Sequence, residues 1–127
     1  MKKSFSLDAS ILRHILMYQV KMSKVLKKTN CLTANKLLTD EYTLDLCSFY
    51  IANIGELTRK LTDSTKEALS SIHCHSLLRI RNIIDHAYTS ADKSKFIPFI
   101  FLLAKDESIR IVSERFEYCN KYKRKKS

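Results

Sequence analysis

A chain of 127 residues with a single glycine, Gly55, and a single proline, Pro98, lacks the turn punctuation that sheets require. Strand-rich sandwiches and serial βαβ units depend on Gly, Pro and Asn at closely spaced turns. Long helices joined by few connections are what remains, and the length suits one domain able to bury a core. The expectation is an all-α chain, an up-down four-helix bundle over 1–120 with a basic tail over 121–127.

Hydrophobic spacing divides the chain. From Leu7 to Lys28, Ile11, Ile15, Tyr18, Met22 and Val25 alternate by four and three, with Leu12, Leu16 and Leu26 widening the stripe. Ser6 is the expected N-cap, and Lys24, Lys27 and Lys28 suit the negative end of the helix. Thr29 to Thr39 reads as a connector. A second stripe from Asp40 to Leu61 carries Leu44, Cys47, Tyr50, Ile51, Ile54 and Leu57. Gly55 inside it costs about 1 kcal/mol against Ala, which points to close backbone packing or the approach of a partner.

A short, weakly helical piece lies between Thr62-Asp63-Ser64 and Ser70-Ser71. A third helix is expected from about Ser76, as N-cap, to Tyr88, with Leu77, Ile80, Ile84 and Ala87 on its core side. From Asp92 to Cys119, Pro98 and the polar run Lys105-Asp106-Glu107-Ser108 predict a kinked helix or two consecutive ones. The run from Lys121 to Ser127 has no apolar periodicity and is expected to fray.

Lys and Arg number 23 against 13 Asp and Glu, a formal charge of +10, so an anionic partner is expected: nucleic acid, an acidic protein or a membrane surface. No apolar run reaches the ~18 residues that span a bilayer and Met1-Lys2-Lys3 leads into no signal-peptide core, so a cytoplasmic protein without membrane insertion is expected. Cys31, Cys47, Cys74 and Cys119 have no paired spacing, and they read as thiols, small and commonly buried. His73-Cys74-His75 offers zinc-compatible atoms, yet adjacent residues diverge and no C-x-x-C pair supports them, so neither metal nor cofactor is expected. One glycine excludes a phosphate-cradling loop. Phe96, Phe99, Phe101 and Leu102 read as core or dimer interface.

The third helix concentrates chemistry. With Arg81 as the reference direction, Leu77, Ile80 and Ile84 lie roughly 40° to 100° to one side, and Asn82 and His86 about 100° to 140° to the other. Arg79 falls nearly in line with His86, while Arg81, Asp85 and Tyr88 share a second line. An imidazole can take the ribose 2′-hydroxyl proton and a guanidinium can hold a charged phosphorane, so the set is competent for RNA cleavage without a metal. On residue chemistry alone, a surface or interface histidine and an Arg81–Asp85 surface ion pair are the simpler account. Arg81 and His86 stand about 140° apart, so one phosphate gripped by both needs a curled Arg side chain or a second chain at the cleft.

The octet Arg81-Asn82-Ile83-Ile84-Asp85-His86-Ala87-Tyr88 resembles the HEPN signature in its HepT-like form, R-N-x-x-x-H-x-Y. Upstream, Asn53-Ile54-Gly55-Glu56-Leu57 is similar to the I-G-E segment of HepT-like proteins, and Asp8 to Leu26, with Leu12, His14, Ile15 and Leu16, is similar to their opening helix. The resemblance covers most of the chain up to the tail. It implies a homodimer with a composite cleft, metal-independent RNA cleavage leaving a cyclic phosphate, and a nucleotidyltransferase-fold (MNT) antitoxin partner that adenylylates the motif tyrosine in some members. Carried over, Arg81 and His86 are catalytic and Tyr88 is the modification site. From the residues themselves, Asn82, four before His86, is placed to orient it, Arg79, nearly in line with His86, is a candidate RNA contact, and Lys123 and Arg124 of the basic tail are either a solvated end or a further RNA contact.

Two positions depart from the pattern: Asp85, where family members often carry an apolar residue, and Pro98, where a family helix usually continues. A carboxylate beside His86 favours the imidazolium, which suits a general acid more than a base. The rival reading is a non-catalytic HEPN module that binds RNA, nucleotide or a nucleotidyltransferase partner.

Overall fold

The computed structural model describes residues 2–74, 76–77, 79 and 94–125. Among these residues the fold is all-helical, without strands, and its main helices pack together. Six α-helices are named here: α1 (Lys2–Lys28), α2 (Ala34–Thr39), α3 (Glu41–Arg59), α4 (Asp63–Ala68), α5 (Ile97–Ala104) and α6 (Asp106–Lys125). No helix among the described residues is long and apolar enough to cross a membrane.

Helix α1 is the spine. Near its start Asp8 bonds Thr62, beyond the end of α3, and ten residues on Tyr18 meets the Tyr50 ring at 5.6 Å. Phe5 likewise meets Tyr122 late in α6, while Gln19 reaches Leu103 just before α6 begins. Both α3 and α6 therefore run antiparallel to α1. The predicted stripes supply part of the core, with Leu12, Ile15 and Met22 of α1 and Cys47, Ile51 and Ile54 of α3 fully buried; Ile100 and Leu103 of α5 and Val112 and Cys119 of α6, outside those stripes, are fully buried too. Leu77 and Phe96 join them, whereas Phe99 and Phe101 are partly buried against the core. Gly55 is buried on the α3 face that carries Ile51, Ile54 and Thr58, as close packing requires.

Local chemistry sets most boundaries. Asp40 caps α3, its Oδ1 accepting from the Thr43 amide at 3.1 Å, and Thr62 caps α4 by accepting from the Thr65 amide. The span from Asp92 resolves into two consecutive helices rather than one kinked helix: Pro98 sits in the first turn of α5, where its missing N–H costs nothing, and the break falls at extended Lys105. Across that break Gln19 Nε2 donates to the Leu103 carbonyl at 2.9 Å, satisfying an acceptor left over at a helix end.

Four boundaries differ from the sequence reading. Ser6 is not an N-cap; α1 starts at Lys2, because the added turn carries Phe5 onto Tyr118 and Tyr122. The Thr29–Thr39 connector contains α2, capped by Thr33 and held by buried Leu37, too short to show periodicity. Ser76 does not cap the third helix, since Cys74 is already helical and Leu77 donates to the His73 carbonyl. Finally, the expected frayed tail continues as helix to Lys125, with Tyr122 anchored on Phe5.

Candidate functional site

The octet carrying Arg81, Asn82, Asp85, His86 and Tyr88 lies outside the described residues. Its approach is described. The chain leaves α4 through a 3₁₀ turn (Ser70–Ile72), and His73 takes a left-handed conformation, φ 54° and ψ 58°. Such a conformation is costly for a residue with a Cβ and turns the chain sharply. Helical residues Cys74, Ser76, Leu77 and Arg79 follow, with Leu77 fully buried and Arg79 exposed. Arg79 is thus on the surface of the segment that leads into the octet. Lys123 and Arg124 lie on the helical backbone of α6, at the C-terminal end of the bundle element that packs against α1.

The approach is fixed by a buried polar network that spacing alone did not reveal. Asp8 is fully buried, and its carboxylate accepts from the Thr62 amide at 3.1 Å, the Thr62 hydroxyl at 2.6 Å and the Thr65 hydroxyl at 2.7 Å. Because the Thr65 hydroxyl spends its proton on Asp8, it accepts from Arg115 Nε at 3.1 Å and from the Cys119 thiol at 3.9 Å. Arg115 also donates to Ser64 Oγ at 3.0 Å. One carboxylate therefore joins α1, the start of α4 and α6, and it sits where a helix N-terminus favours negative charge. The sequence signal was present in part, as Thr62-Asp63-Ser64, but its distant partners were not.

Beside this network is an open cleft of about 430 Å³ lined by Asp63, Lys66, Glu67, Ser70, His73 and Ser76, with Cys74 at its floor. Its mixed charges and hydroxyls border the helical residues that precede the octet in sequence. The Cys74 thiol is pushed up by burial, which leaves it protonated and a poor nucleophile, and Lys66 nearby opposes that only in part. Among the described residues no group of three or more His, Cys, Asp or Glu side chains comes together at metal-binding range. In the I-G-E segment, Glu56 bonds Arg59 at 2.6 Å on the surface of α3. His14, of the opening-helix pattern, is exposed and bonds the Ser10 carbonyl of its own helix.

No protein-family profile, no curated protein and no solved structure matches the chain.

Proposed function

We propose that this chain is a HepT-like HEPN ribonuclease, a metal-independent RNA endonuclease acting as the toxin of a HEPN/MNT toxin-antitoxin pair. The observation that carries the reading is the octet R-N-x-x-x-H-x-Y at Arg81–Tyr88, preceded by I-G-E at Ile54–Glu56, in a chain whose described residues are all helical. The antiparallel α1 and α3, with α6 antiparallel to α1, are compatible with an up-down four-helix HEPN bundle.

In this reading His86 moves the protons: the imidazole takes the 2′-hydroxyl proton, the freed oxygen bonds to phosphorus to give the cyclic phosphate, and the P–O5′ bond breaks as the imidazolium gives a proton to the leaving 5′-oxygen. Arg81 holds the phosphorane charge and Asn82 orients His86. On an ideal helix Arg81 and His86 stand about 140° apart, so in this reading a homodimer completes the cleft. Tyr88 is the modification site for a nucleotidyltransferase-fold antitoxin, and Arg79, exposed on the approach, contributes binding.

The test is incubation of the purified protein with total RNA in EDTA beside His86→Ala and Arg81→Ala. Cleavage by wild type, lost by about 10²- to 10⁴-fold in His86→Ala, is the expected outcome. Undiminished cleavage in both variants would sink the site. Asp85 favours the second reading, a non-catalytic HEPN module, and binding of RNA by wild type without any cleavage would select it.

A further inference from the structure

The antiparallel packing of α1 and α6 brings two basic segments to one end of the bundle. Lys2 and Lys3 stand in the first turn of α1, and Lys121, Lys123, Arg124 and Lys125 in the last turns of α6. These are six cationic residues, and neither 1–7 nor 118–127 contains an Asp or Glu. The carboxylates that flank these segments in sequence are Asp8, which is buried and spent on Thr62 and Thr65, and, on the preceding turn of α6, Glu117 and Glu114, which share a surface cleft with Tyr118 and Lys121 and of which Glu114 is paired with Arg110.

Aromatic rings occupy the same end. Tyr118 and Tyr122 approach to 4.8 Å, Tyr122 stacks on Phe5 at 5.4 Å with 25° between planes, and the Arg115 guanidinium lies over Tyr118 at 4.5 Å. Within this ladder Tyr118 and Tyr122 stay 41% and 38% exposed. A bundle gains nothing in solubility from half-open rings on turns whose backbone carries so many cationic residues, whereas a strand of nucleotides needs both: cations for its phosphates and ring surface for unpaired bases.

We infer that the end of the bundle where Phe5, Tyr118 and Tyr122 meet, on the first turn of α1 and the last turns of α6 that carry the six cationic residues, is a docking platform for single-stranded RNA. Bases stack on the exposed tyrosines, and the backbone follows the basic residues of α6 and α1. The inference rests on the reading of RNA as the substrate and adds to it a second contact, separate from the Arg81–Tyr88 octet, that gathers single strands. Duplex RNA, whose bases are already stacked, is bound there only through its phosphates and hence more weakly.

The test measures anisotropy of a labelled single-stranded oligoadenylate in EDTA, with His86→Ala as the background so that the probe stays intact. A platform set, Lys121→Gln, Lys123→Gln, Arg124→Gln and Lys125→Gln, is compared with Lys24→Gln, Lys27→Gln, Lys28→Gln and Lys36→Gln, which remove equal charge elsewhere. The platform set is expected to raise Kd at least about 10-fold and to flatten the dependence of log K on log salt by up to about 3. The second set is expected to have a several-fold smaller effect. Equal weakening by both sets, or by neither, overturns the inference.

Ring stacking has its own readout: Tyr118→Ala and Tyr122→Leu should weaken oligoadenylate binding by about 5- to 100-fold but leave an abasic phosphate backbone bound as before. Equal loss on both probes overturns the stacking. The charge set, which keeps every ring, decides the matter if a tyrosine variant loses its helical circular dichroism. Platform-dependent binding to phosphatidylserine vesicles with unchanged RNA affinity would assign this end to a membrane and overturn the RNA inference. Wild type that cleaves RNA while ignoring the platform substitutions defeats this inference alone; platform-dependent binding without cleavage defeats only the ribonuclease.

Discussion

Asp8 and Thr65 are separated by 56 intervening positions, yet the Thr65 hydroxyl donates to Asp8 Oδ2 at 2.7 Å in a fully buried contact. The bond matters because it is shared. The same Thr65 oxygen accepts from Arg115, so a single hydroxyl stands between a buried carboxylate and a guanidinium and passes the attraction of one to the other. Thr65→Val keeps the shape and removes the hydroxyl, leaving Asp8 one donor short and Arg115 one acceptor short. A loss of about 1–3 kcal/mol in urea denaturation is expected, with Thr65→Ser close to wild type. Equal stability of the valine and serine variants would show the network to be energetically idle.

Gln19 makes a second long-range bond, across the break at Lys105. Its Nε2 serves the Leu103 carbonyl, while its Oε1 is buried without a partner among the described residues. Gln19→Leu strands that carbonyl but also removes the unpaired oxygen, so it should cost less than Gln19→Ala, which adds a void. We expect about 1 kcal/mol for leucine and about 2–4 kcal/mol for alanine, read as shifts in the thermal midpoint. The reverse order would mean that the oxygen, not the amide, is the group the fold needs.

Burial pushes the Cys47 thiol up to about 12, and negative charge on Cys31 and Asp40 adds to the shift. In the unfolded chain the group ionises near its ordinary 9.0, so above that pH the unfolded state releases a proton that the folded state retains. The contribution of Cys47 to stability is complete below pH 9.0 and is lost as pH rises toward about 12. Cys47→Ala should flatten the alkaline limb of the stability curve, measured by urea midpoints through that window. All four cysteines are buried, so a thiol-disulfide reagent at mildly alkaline pH should label the native protein slowly and the urea-unfolded protein at once. Rapid native labelling would contradict the burial.

The sequence discloses whatever is settled locally. Helical stripes, the start of the second helix at Asp40, the short α4 and the polar break at Lys105-Asp106 are written in residues a few positions apart, and the structure follows them. What escaped depends on distant partners. The first turn of α1 and the last turns of α6 support each other through Phe5 and Tyr122, and neither segment alone has the pattern of a stable helix. The start of the third helix was misplaced because His73, not Ser76, turns the chain, and no residue type announces a left-handed histidine. Of the candidate site, the octet is an expectation drawn from resemblance and lies outside the described residues, while the cleft beside His73 joins residues of α4 to residues beyond the 3₁₀ turn and leaves no spacing to read.

The pairing of α1 with α6 also has a consequence for synthesis. Roughly a hundred residues separate Phe5 from Tyr122, so α1 emerges from the ribosome well before its main partner exists; at about 5–20 residues per second the wait is on the order of 5–20 s. Through that interval Leu12, Ile15 and Met22 have α3 beside them but not α6, and Asp8 has the hydroxyls of Thr62 and Thr65 but no Arg115. The half-made bundle therefore leaves apolar surface of α1 without its α6 cover, and the speed of translation through 60–110 sets how long that surface waits.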